Sequence, residues 1–431
     1  AERLLQSWVK AEPLLHWWSG CRLESVDRRG DRVMALELNC NGEHQRVDSR
    51  IWIDGSDLGD LIALAEAPFR WGWEPNDTWN EPSAPSADAL AEDPFFIRQP
   101  VQSPTWVVMG QLRGALPNFS ERPAPAAPFD KALDAVGLER TLTYGRLPGG
   151  LVMLNWPLGG NDWHHGLRRS ISSHSSKRDA LDHEMQHHSL QFLHQLSGCS
   201  DGWLTRGDAF PSAQPHLALM PYWREGRRMV GDAVVSERDL LPVKHQARRS
   251  HLHATSIAVG TYANDHHYPG DDRPLAAKSC RWGGRWTGTP FCIPFEALVS
   301  ADVSDLPAAE KCFSVSHMAN GATRLQPLIL NIGQAAGLAA ALAARCNLEP
   351  RDLPVESLQQ QLIDDPKAPA AVMPIWDWPC WHPYWREAQH RALRQPEVLL
   401  EDGSLTPGQA SDLSLPDAAE APAERHGQLI Q

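Results

Sequence analysis

The chain of 431 residues lacks several patterns that would assign it to a class of protein at once. No two glycines stand two positions apart, so the Gly-x-Gly-x-x-Gly fingerprint of a phosphate-binding strand–turn–helix unit is missing. None of the eight cysteines forms a Cys-x-x-Cys pair, which argues against a redox dithiol or a zinc knuckle. We find no apolar run that we expect to span a bilayer, and no signal-peptide pattern at the start.

Basic residues are also fewer than acidic residues. The chain has 40 Lys and Arg against 53 Asp and Glu, a formal net charge of -13, which argues against nucleic acid as a main partner. A hydrophobic content of 42% with 22% charged residues is ordinary for a soluble globular protein, and the length suffices for two or three domains. Dispersed cysteines favour a reducing compartment, so we expect a cytoplasmic protein.

The residues that are present predict an α/β fold. Alternating residues within 21–50 predict a β-hairpin and a third strand. The short apolar segment 51–54 predicts a buried parallel strand, which leads through small residues into a helix over 57–66. Further strands are predicted over 255–262 and 291–299.

The segment 313–345, FSVSHMANGATRLQPLILNIGQAAGLAAALAAR, is the most informative part of the chain. Its second half predicts one helix that opens at residues 331–333 and consists mostly of Gly, Ala and Leu. The free N–H groups and positive dipole end of such a helix can lie close to a flat ligand, with Gly333 and Gly337 on one face. A helix in a tightly packed core is the alternative. The hydrogen-bonding residues within 314–324 favour the ligand.

This segment and four others resemble, in the same order, the FAD-dependent oxidoreductases of the glutathione-reductase-like superfamily, in particular the bacterial xanthan-lyase-like group. The resemblance extends to about residue 362. It implies an FAD-binding three-layer (β/β/α) domain with a β-meander, an inserted α+β cap domain, and an enzyme that exchanges hydride between flavin and a small-molecule substrate. The other four stretches are IWIDGSDLGDLIALAEA (51–67), NWPLGGND (155–162), MPYWREGRRMVG (220–231) and SIAVGTYANDHHYP (256–269).

The resemblance also divides the chain into domains. It assigns residues 1–67 and 291–365 to the FAD-binding domain, and residues 68–290 to the cap. A Trp-rich segment follows over 366–395. The acidic tail over 396–431, rich in Pro, Ser, Gly and Ala, is expected to be disordered.

Two features depart from the family pattern. The strand–GxGxxG–helix unit with which the family begins is not found, and the chain starts at Ala1 within a helical pattern, so we expect the first βαβ unit to be missing. Ala309-Glu310-Lys311 stands where the family has Ala-Gly-Arg, which keeps a positive charge but replaces a glycine.

The resemblance implies a set of site residues. His317 is the candidate for proton transfer, Arg224 for holding a carboxylate or hydroxylated substrate, and His267 for acid–base work with Asp265 as its orienting carboxylate. For each, a satisfied structural network is the alternative. The residues expected to bind FAD are Asp54, Gly55, Ser56, Gly59, Asp60, Lys311, Ser316, Gly321, Arg324, Gly333, Gln334 and Gly337.

Two other classes of function have residues in their favour. His183-Glu184-x-x-His187 lies on a helix predicted over 178–197 and matches a zinc peptidase motif. We expect no metal there, because 19 histidines make chance pairs frequent and no third ligand stands at a convincing position. A non-catalytic carbohydrate-binding protein would use aromatic side chains near the end of the chain, although such clusters more often anchor a terminal segment. These are Trp376, Trp378, Trp381 and Trp385.

Overall fold

The computed structural model describes residues 2–114, 124–134, 136–155, 159–244, 247–268, 287–375 and 379–406. Its α-helices in these ranges are α1 (Glu2–Ala11), α2 (Asp60–Leu64), α3 (Ala87–Glu92), α4 (Pro94–Arg98), α5 (Gly137–Thr143), α6 (Ser175–Cys199), α7 (Glu237–Leu240), α8 (His317–Thr323), α9 (Gln326–Cys346), α10 (Val355–Asp364) and α11 (Trp385–Arg394). Its strands there are β1 (Cys21–Arg29), β2 (Arg32–Cys40), β3 (Glu43–Asp48), β4 (Phe69–Arg70), β5 (Val108–Leu112), β6 (Leu151–Leu154), β7 (Leu204–Arg206), β8 (Arg228–Met229), β9 (Ser256–Tyr262) and β10 (Thr287–Pro294).

The strands of the described ranges form four small sheets. β1, β2 and β3 make an antiparallel meander, which confirms the prediction for residues 21–50. β5 lies between β6 and β7, β9 pairs with β10, and β4 pairs with β8, all antiparallel. The mixed α/β class is as predicted, whereas the three-layer arrangement with an inserted cap stays a prediction.

The predicted parallel strand at residues 51–54 is reduced to a parallel bridge. Asp54 pairs with Ala308, and the Asp54 amide donates to the Pro307 carbonyl at 3.0 Å. The following helix, α2, is shorter than predicted because it begins only after Gly59, which has a left-handed φ of 66°. The strand expected over 291–299 starts earlier, as β10, and gives way to a 3-10 turn at Phe295–Ala297.

Two hydrophobic clusters organise the described residues. The main core joins α2, β9, β10, α9 and α10, with Ile62, Ile257, Phe291, Phe313, Ile332 and Leu362 fully buried. The second core lies within the predicted cap and packs α6 against the sheet β6–β5–β7, with Val108, Val152, Leu181, Phe192 and Leu204. β9 belongs to the main core although the predicted cap includes it, so the domain limits stay a prediction.

The long small-residue helix starts earlier than predicted. α9 begins at Gln326, with Pro327 in its first turn, where a missing N–H costs nothing. Gly333 therefore lies inside the helix, and the prediction that it opens the helix is wrong. One face of α9, with Ile332, Ala335 and Ala339, is buried in the main core. The core interpretation is therefore confirmed for this face, whereas a ligand on the face that carries Gly333 and Gly337 stays a prediction.

α9 also corrects the expectation about membrane-length segments. Its 21 residues are long and apolar enough to cross a bilayer by length and composition. Seven of them are buried in the main core, and α9 contacts β9 and α10. A core helix of this kind passes the same test, so the helix is weak support for a membrane span.

A disulfide was not foreseen. Cys21 and Cys40 are bonded, because the register of β1 and β2 places them directly opposite each other. Their separation of 19 residues carries no pattern that sequence alone reveals. The dispersed cysteines therefore give no argument for a reducing compartment, and a cytoplasmic location stays a prediction.

The end of the described chain returns to the main core. Trp385 is buried there, whereas Trp381 is half exposed, and Trp376 and Trp378 lie outside the described residues. Val398 and Leu399 also belong to the main core, so the predicted disordered tail was placed too early at residue 396. Residues 407–431 of that tail lie outside the described ranges.

Candidate functional site

The turn after the parallel bridge is organised by a buried carboxylate. Asp54 accepts hydrogen bonds from the Ser56 amide at 2.9 Å, the Ser56 hydroxyl at 2.7 Å and the Ile62 amide at 2.9 Å. Burial raises the pKa of Asp54, against these hydrogen bonds, which lower it. The carboxylate thus holds the loop 55–60 in shape through bonds within the chain.

Lys311 lies beside this loop and is neutralised by carboxylates. Its ammonium contacts Asp57 and, at 2.9 Å, Glu310. Burial alone would lower the pKa of Lys311, but these two carboxylates outweigh burial and raise it. Glu310, which stands where the family has glycine, is therefore an ion-pair partner of the lysine.

Arg227 connects the loop to the segment that precedes α6. Its guanidinium donates to the Leu58 carbonyl at 2.9 Å and the Ile171 carbonyl at 3.1 Å, and it pairs with Asp60 at 3.1 Å. A Cβ on Gly59 would lie 3.1 Å from the Arg227 Cβ, so only glycine fits here easily. Arg227 also borders a cleft of about 1050 Å³, lined among others by Leu58, Asp60, Ser170, Ser175 and Arg178.

The outer face of α9 adjoins the same loop. The nearest atom to a Cβ on Gly333 would be the Ala309 carbonyl oxygen at 3.8 Å, and Ala309 donates to the Asp54 carbonyl at 2.9 Å. A Cβ on Gly337 or on Gly55 would meet no atom within 4 Å. Gln334 donates to the Ala368 carbonyl at 2.6 Å, so its amide is engaged by the chain.

His317, at the start of α8, lies in a buried polar cluster. Its Nδ1 is 2.9 Å from Glu225 and its Nε2 is 2.6 Å from the Tyr268 hydroxyl. Arg228 pairs with Glu225 at 3.1 Å and with Glu74 at 2.7 Å. The cluster therefore places ionised groups of both signs around one imidazole, and among them Glu74 keeps some exposure, 12% of its side chain.

Arg224 and His267 meet in a second buried network. Both contact Asp162, at 3.0 and 2.8 Å, and Asp162 is 1% exposed. His267 also faces Asp265 at 3.3 Å, and Asp265 pairs with Arg324 at 3.0 Å. The predicted partnership of His267 with Asp265 is present, and Arg224 is held by Asp162 within the protein.

Ser316 and Gly321 have structural roles in α8: one caps the helix, and the other allows protein side chains to approach it. The Ser316 hydroxyl caps the helix by accepting from the Ala319 amide at 3.0 Å. A Cβ on Gly321 would lie 2.5 Å from Asn264 Oδ1 and 2.6 Å from His266 Nε2, so the close approach there is to protein side chains. Neither observation tests the predicted contacts of these residues with FAD.

Several polar atoms at the junction of α8 and α9 find no hydrogen-bond partner among the described residues. They are Asn320 Nδ2, Thr323 Oγ1 and Arg324 Nε, with Gln102 Oε1 beside them. All four residues are at most 3% exposed. Unpaired buried polar atoms destabilise a fold by about 1–3 kcal/mol each, so such a concentration at one place indicates a missing partner.

Sequence reasoning missed the acidic and phenolic partners of the predicted histidines. Glu225 lies between Arg224 and Arg227 in a charged run that gives no sign of its partner. Asp162 is the last residue of the NWPLGGND block, and Tyr268 is the last but one of the SIAVGTYANDHHYP block. Their positions in blocks already singled out were the available signal, but their partners are distant along the chain and only the fold identifies them.

The zinc-type motif lies on α6, as predicted, but its groups have other partners. Glu184 forms a two-pronged pair with Arg169, at 2.7 and 2.5 Å, and this pairing lowers the pKa of Glu184. His183 contacts the Asp179 carbonyl at 2.8 Å within the helix. In the part of the chain that the structure describes, no group of three His, Cys, Asp or Glu is arranged to hold a metal ion.

The fold and these clusters define a mixed α/β protein with a small-residue loop, a cleft and buried ion pairs beside it. A family model described as FAD dependent oxidoreductase matches residues 1–362. The chain therefore belongs to this family: it is an FAD-dependent oxidoreductase, and FAD is its cofactor. A search of curated proteins and a search of solved structures each find no match.

The residues present fit FAD. Gly55, Gly333 and Gly337 offer a surface that a planar ring system can approach. The cleft of about 1050 Å³ beside Asp60 is near the upper end of the roughly 300–1,000 Å³ usual for ligand pockets. The unpaired atoms of Asn320 and Thr323 provide a donor and a hydroxyl for polar groups of a cofactor enclosed by the chain.

Proposed function

We propose that this enzyme transfers hydride between a small organic molecule and FAD, with the polar edge of the flavin held at the junction of α8 and α9. When bound, FAD supplies the acceptor or donor of the two electrons. The observation that supports this position is the group of unpaired buried atoms at Gln102, Asn320, Thr323 and Arg324. A hydrogen-bonding cofactor enclosed there would remove the cost of leaving them unpaired.

The remaining predicted residues take roles around that position. Gly55, Ser56, Gly59 and Asp60 form the loop along which we place the rest of the cofactor, together with Gly333 and Gly337 of α9. Arg227, rather than Lys311, supplies positive charge toward the cleft, since two carboxylates neutralise the lysine. Asp54 acts by shaping the loop.

His317 is the proton-handling group of this proposal. It begins α8, three residues before Asn320, and its imidazole lies in a cluster closed to water. Proton transfer by a positioned imidazole is the usual complement to moving a hydride from a carbon that bears a hydroxyl or an amine. Arg224 and His267 act through Asp162 as positioning residues, because both side chains are held in ion pairs with this buried carboxylate.

The reaction is tested with the FAD-loaded protein under anaerobic conditions. We expect at least one member of a panel of alcohols, hydroxy acids and amines to abolish the visible absorbance of oxidised flavin. Deuterium on the donor carbon should slow that step, because the C–H bond breaks in it. Equal rates for the deuterated and ordinary donor would contradict hydride transfer.

The position of the flavin is tested by Thr323→Val, which removes the unpaired hydroxyl without changing the size of the side chain. Without FAD, we expect stability to stay the same or to rise by about 1 kcal/mol, because a buried unpaired group is lost. FAD affinity should fall roughly tenfold, because a hydrogen bond to the cofactor is lost. Denaturant unfolding and FAD titration measure the two effects.

Thr141→Val is the matched control. Thr141 is equally buried, but its hydroxyl donates to the Gly137 carbonyl at 2.8 Å. This variant should lose stability and leave FAD affinity unchanged. If Thr323→Val behaves in the same way, the hydroxyl has a structural partner and the α8–α9 junction does not hold the flavin.

A further inference from the structure

Three rings share hydrogen bonds in a row: His317 and Tyr268, which are buried, and His266, which is half-buried. The Tyr268 hydroxyl lies 2.6 Å from His317 Nε2 and 2.7 Å from His266 Nδ1. A phenol has a single proton to donate, so it can donate to only one of these two nitrogens. The other nitrogen must donate to the phenol oxygen and therefore carries a proton. This holds whatever other groups contact the tyrosine.

The outer nitrogen of His317, Nδ1, which does not contact Tyr268, is protonated as well. Nδ1 lies 2.9 Å from Glu225 Oε1, while Arg228 Nε lies 3.1 Å from that oxygen and the Gln102 amide donates to the other at 3.2 Å. With Arg228 in an ion pair with it and the Gln102 main-chain amide donating to it, Glu225 is an ionised carboxylate, which only accepts. Nδ1 of His317 is therefore the donor.

The protonation of the outer nitrogen of His266, Nε2, follows from its contacts in the same way. Its Nε2 lies 3.1 Å from the Met318 carbonyl oxygen and 3.1 Å from Asn264 Oδ1. A main-chain carbonyl can only accept a hydrogen bond, so Nε2 carries a proton. Each imidazole thus has a proton on its outer nitrogen, and at least one of the two has a second proton on its inner nitrogen.

The three rings therefore hold at least one positive charge, and the surroundings decide which ring carries it at rest. Next to His317, Glu225, Glu74 and Arg228 sum to one negative charge, which an imidazolium balances. The centroids of the Trp73 and His317 rings are 3.8 Å apart, and an aromatic ring at this position favours a cation on His317. Burial and the charge of His317 lower the pKa of His266 to about 3, while Asp265 and Arg324 face it with opposite effects.

We propose that His317, Tyr268 and His266 form a proton-sharing triad in which His317 is an imidazolium at rest, so that it acts as an acid when hydride passes from the flavin to the substrate. Two proton transfers move the positive charge from His317 to His266. The His317 Nε2–H proton passes to the Tyr268 oxygen, and the Tyr268 proton passes to His266 Nδ1. Protons balance within the three rings. The part of this proposal that concerns the reaction rests on the proposed function, whereas the protonation pattern stands on the geometry alone.

The test is nitrogen NMR of the protein with ¹⁵N-labelled histidine, recorded across pH with and without FAD. His317→Gln and His266→Gln each remove one set of signals and so assign them. At neutral pH we expect both nitrogens of His317 to be protonated and His266 to be neutral with its proton on Nε2. A neutral His317 at that pH would overturn the proposal.

Tyr268→Phe separates the triad from a simple His–Glu pair. Without the phenol oxygen, the Nε2 proton loses its acceptor, and we expect the ¹⁵N signal of His317 Nε2 to move from its wild-type position. Tyr384→Phe, at the start of α11, is the matched control and should leave His317 unchanged. An unchanged His317 in Tyr268→Phe would reject the role of tyrosine and with it the triad.

Addition of FAD distinguishes this proposal from the proposed function. If the His317 signals show the triad pattern and shift when FAD binds, both are supported. If the pattern is present but FAD binds without moving the His317 signals, the triad stands and the placement of the flavin beside α8 is rejected.

Discussion

Asp162→Asn should destabilise the protein by about 3–5 kcal/mol, because it leaves two buried cationic partners without their carboxylate. Asp162 is 1% exposed and pairs with Arg224, 2% exposed, at 3.0 Å and with His267 at 2.8 Å. Such a loss is a large part of the roughly 5–15 kcal/mol that holds a typical domain folded. Denaturant unfolding followed by circular dichroism measures it.

Asp302→Asn is the matched control for this substitution. Asp302 pairs with Arg28 at 2.6 Å, but its carboxylate is 49% exposed, and pairs of this kind contribute about 0–1 kcal/mol. If both variants unfold at the same denaturant concentration, burial does not strengthen the Asp162 network, and its proposed role in positioning Arg224 and His267 has no support.

The same network makes the cost of Asp162→Asn depend on pH. Burial alone would raise the pKa of Asp162, but Arg224 and His267 outweigh burial and hold it below its ordinary value. A carboxylate with a depressed folded-state pKa stabilises the fold above its unfolded pKa of about 3.9, and that contribution is lost as pH falls toward the folded pKa. The difference between Asp162→Asn and wild type should therefore be full at neutral pH and shrink below about pH 4.

The meander and α6 could be predicted from sequence because their patterns are local. Alternation and a turn sequence define β1 and β2, and apolar residues such as Leu181 and Met185 recur at helical spacing on α6. The start of α9 was missed because its first turn contains Pro327 and few small residues. The prediction placed the start of the helix at its small residues. The helix in fact starts one residue before Pro327, because proline is tolerated in the first turn.

The candidate site shows a second limit of prediction from sequence: partners that are distant along the chain are not identified. Resemblance identified His317, Arg224 and His267, which all lie in buried polar clusters. It did not identify the groups that decide what these residues do, Glu225 for His317 and Asp162 for the other two. Glu225 and His317 are 92 residues apart in the chain, so no local pattern relates them. Whether an imidazole is an acid or a base is therefore decided by contacts that only the fold creates.

Gly333→Leu should lower FAD affinity by roughly ten- to a hundredfold while leaving the fold intact. The substitution adds a bulky side chain to the face of α9 on which we place the cofactor, and overpacking of this kind costs about 1–3 kcal/mol. The FAD-free protein has no reason to be destabilised, since the nearest atom to the new Cβ is the Ala309 oxygen at 3.8 Å. Leucine also favours helix over glycine by up to about 1 kcal/mol.

Gly198→Leu provides the matched control, because Gly198 lies on α6, away from the proposed cofactor surface, and a Cβ added to it would meet no atom within 4 Å. FAD titration of both variants, with circular dichroism to verify the fold, separates a glycine that faces the cofactor from one that is merely exposed. We expect the Gly198 variant to bind FAD as wild type does. Equal FAD affinity in Gly333→Leu would mean that the cofactor lies elsewhere, and Gly333, Gln334 and Gly337 would have to be withdrawn together as its binding residues.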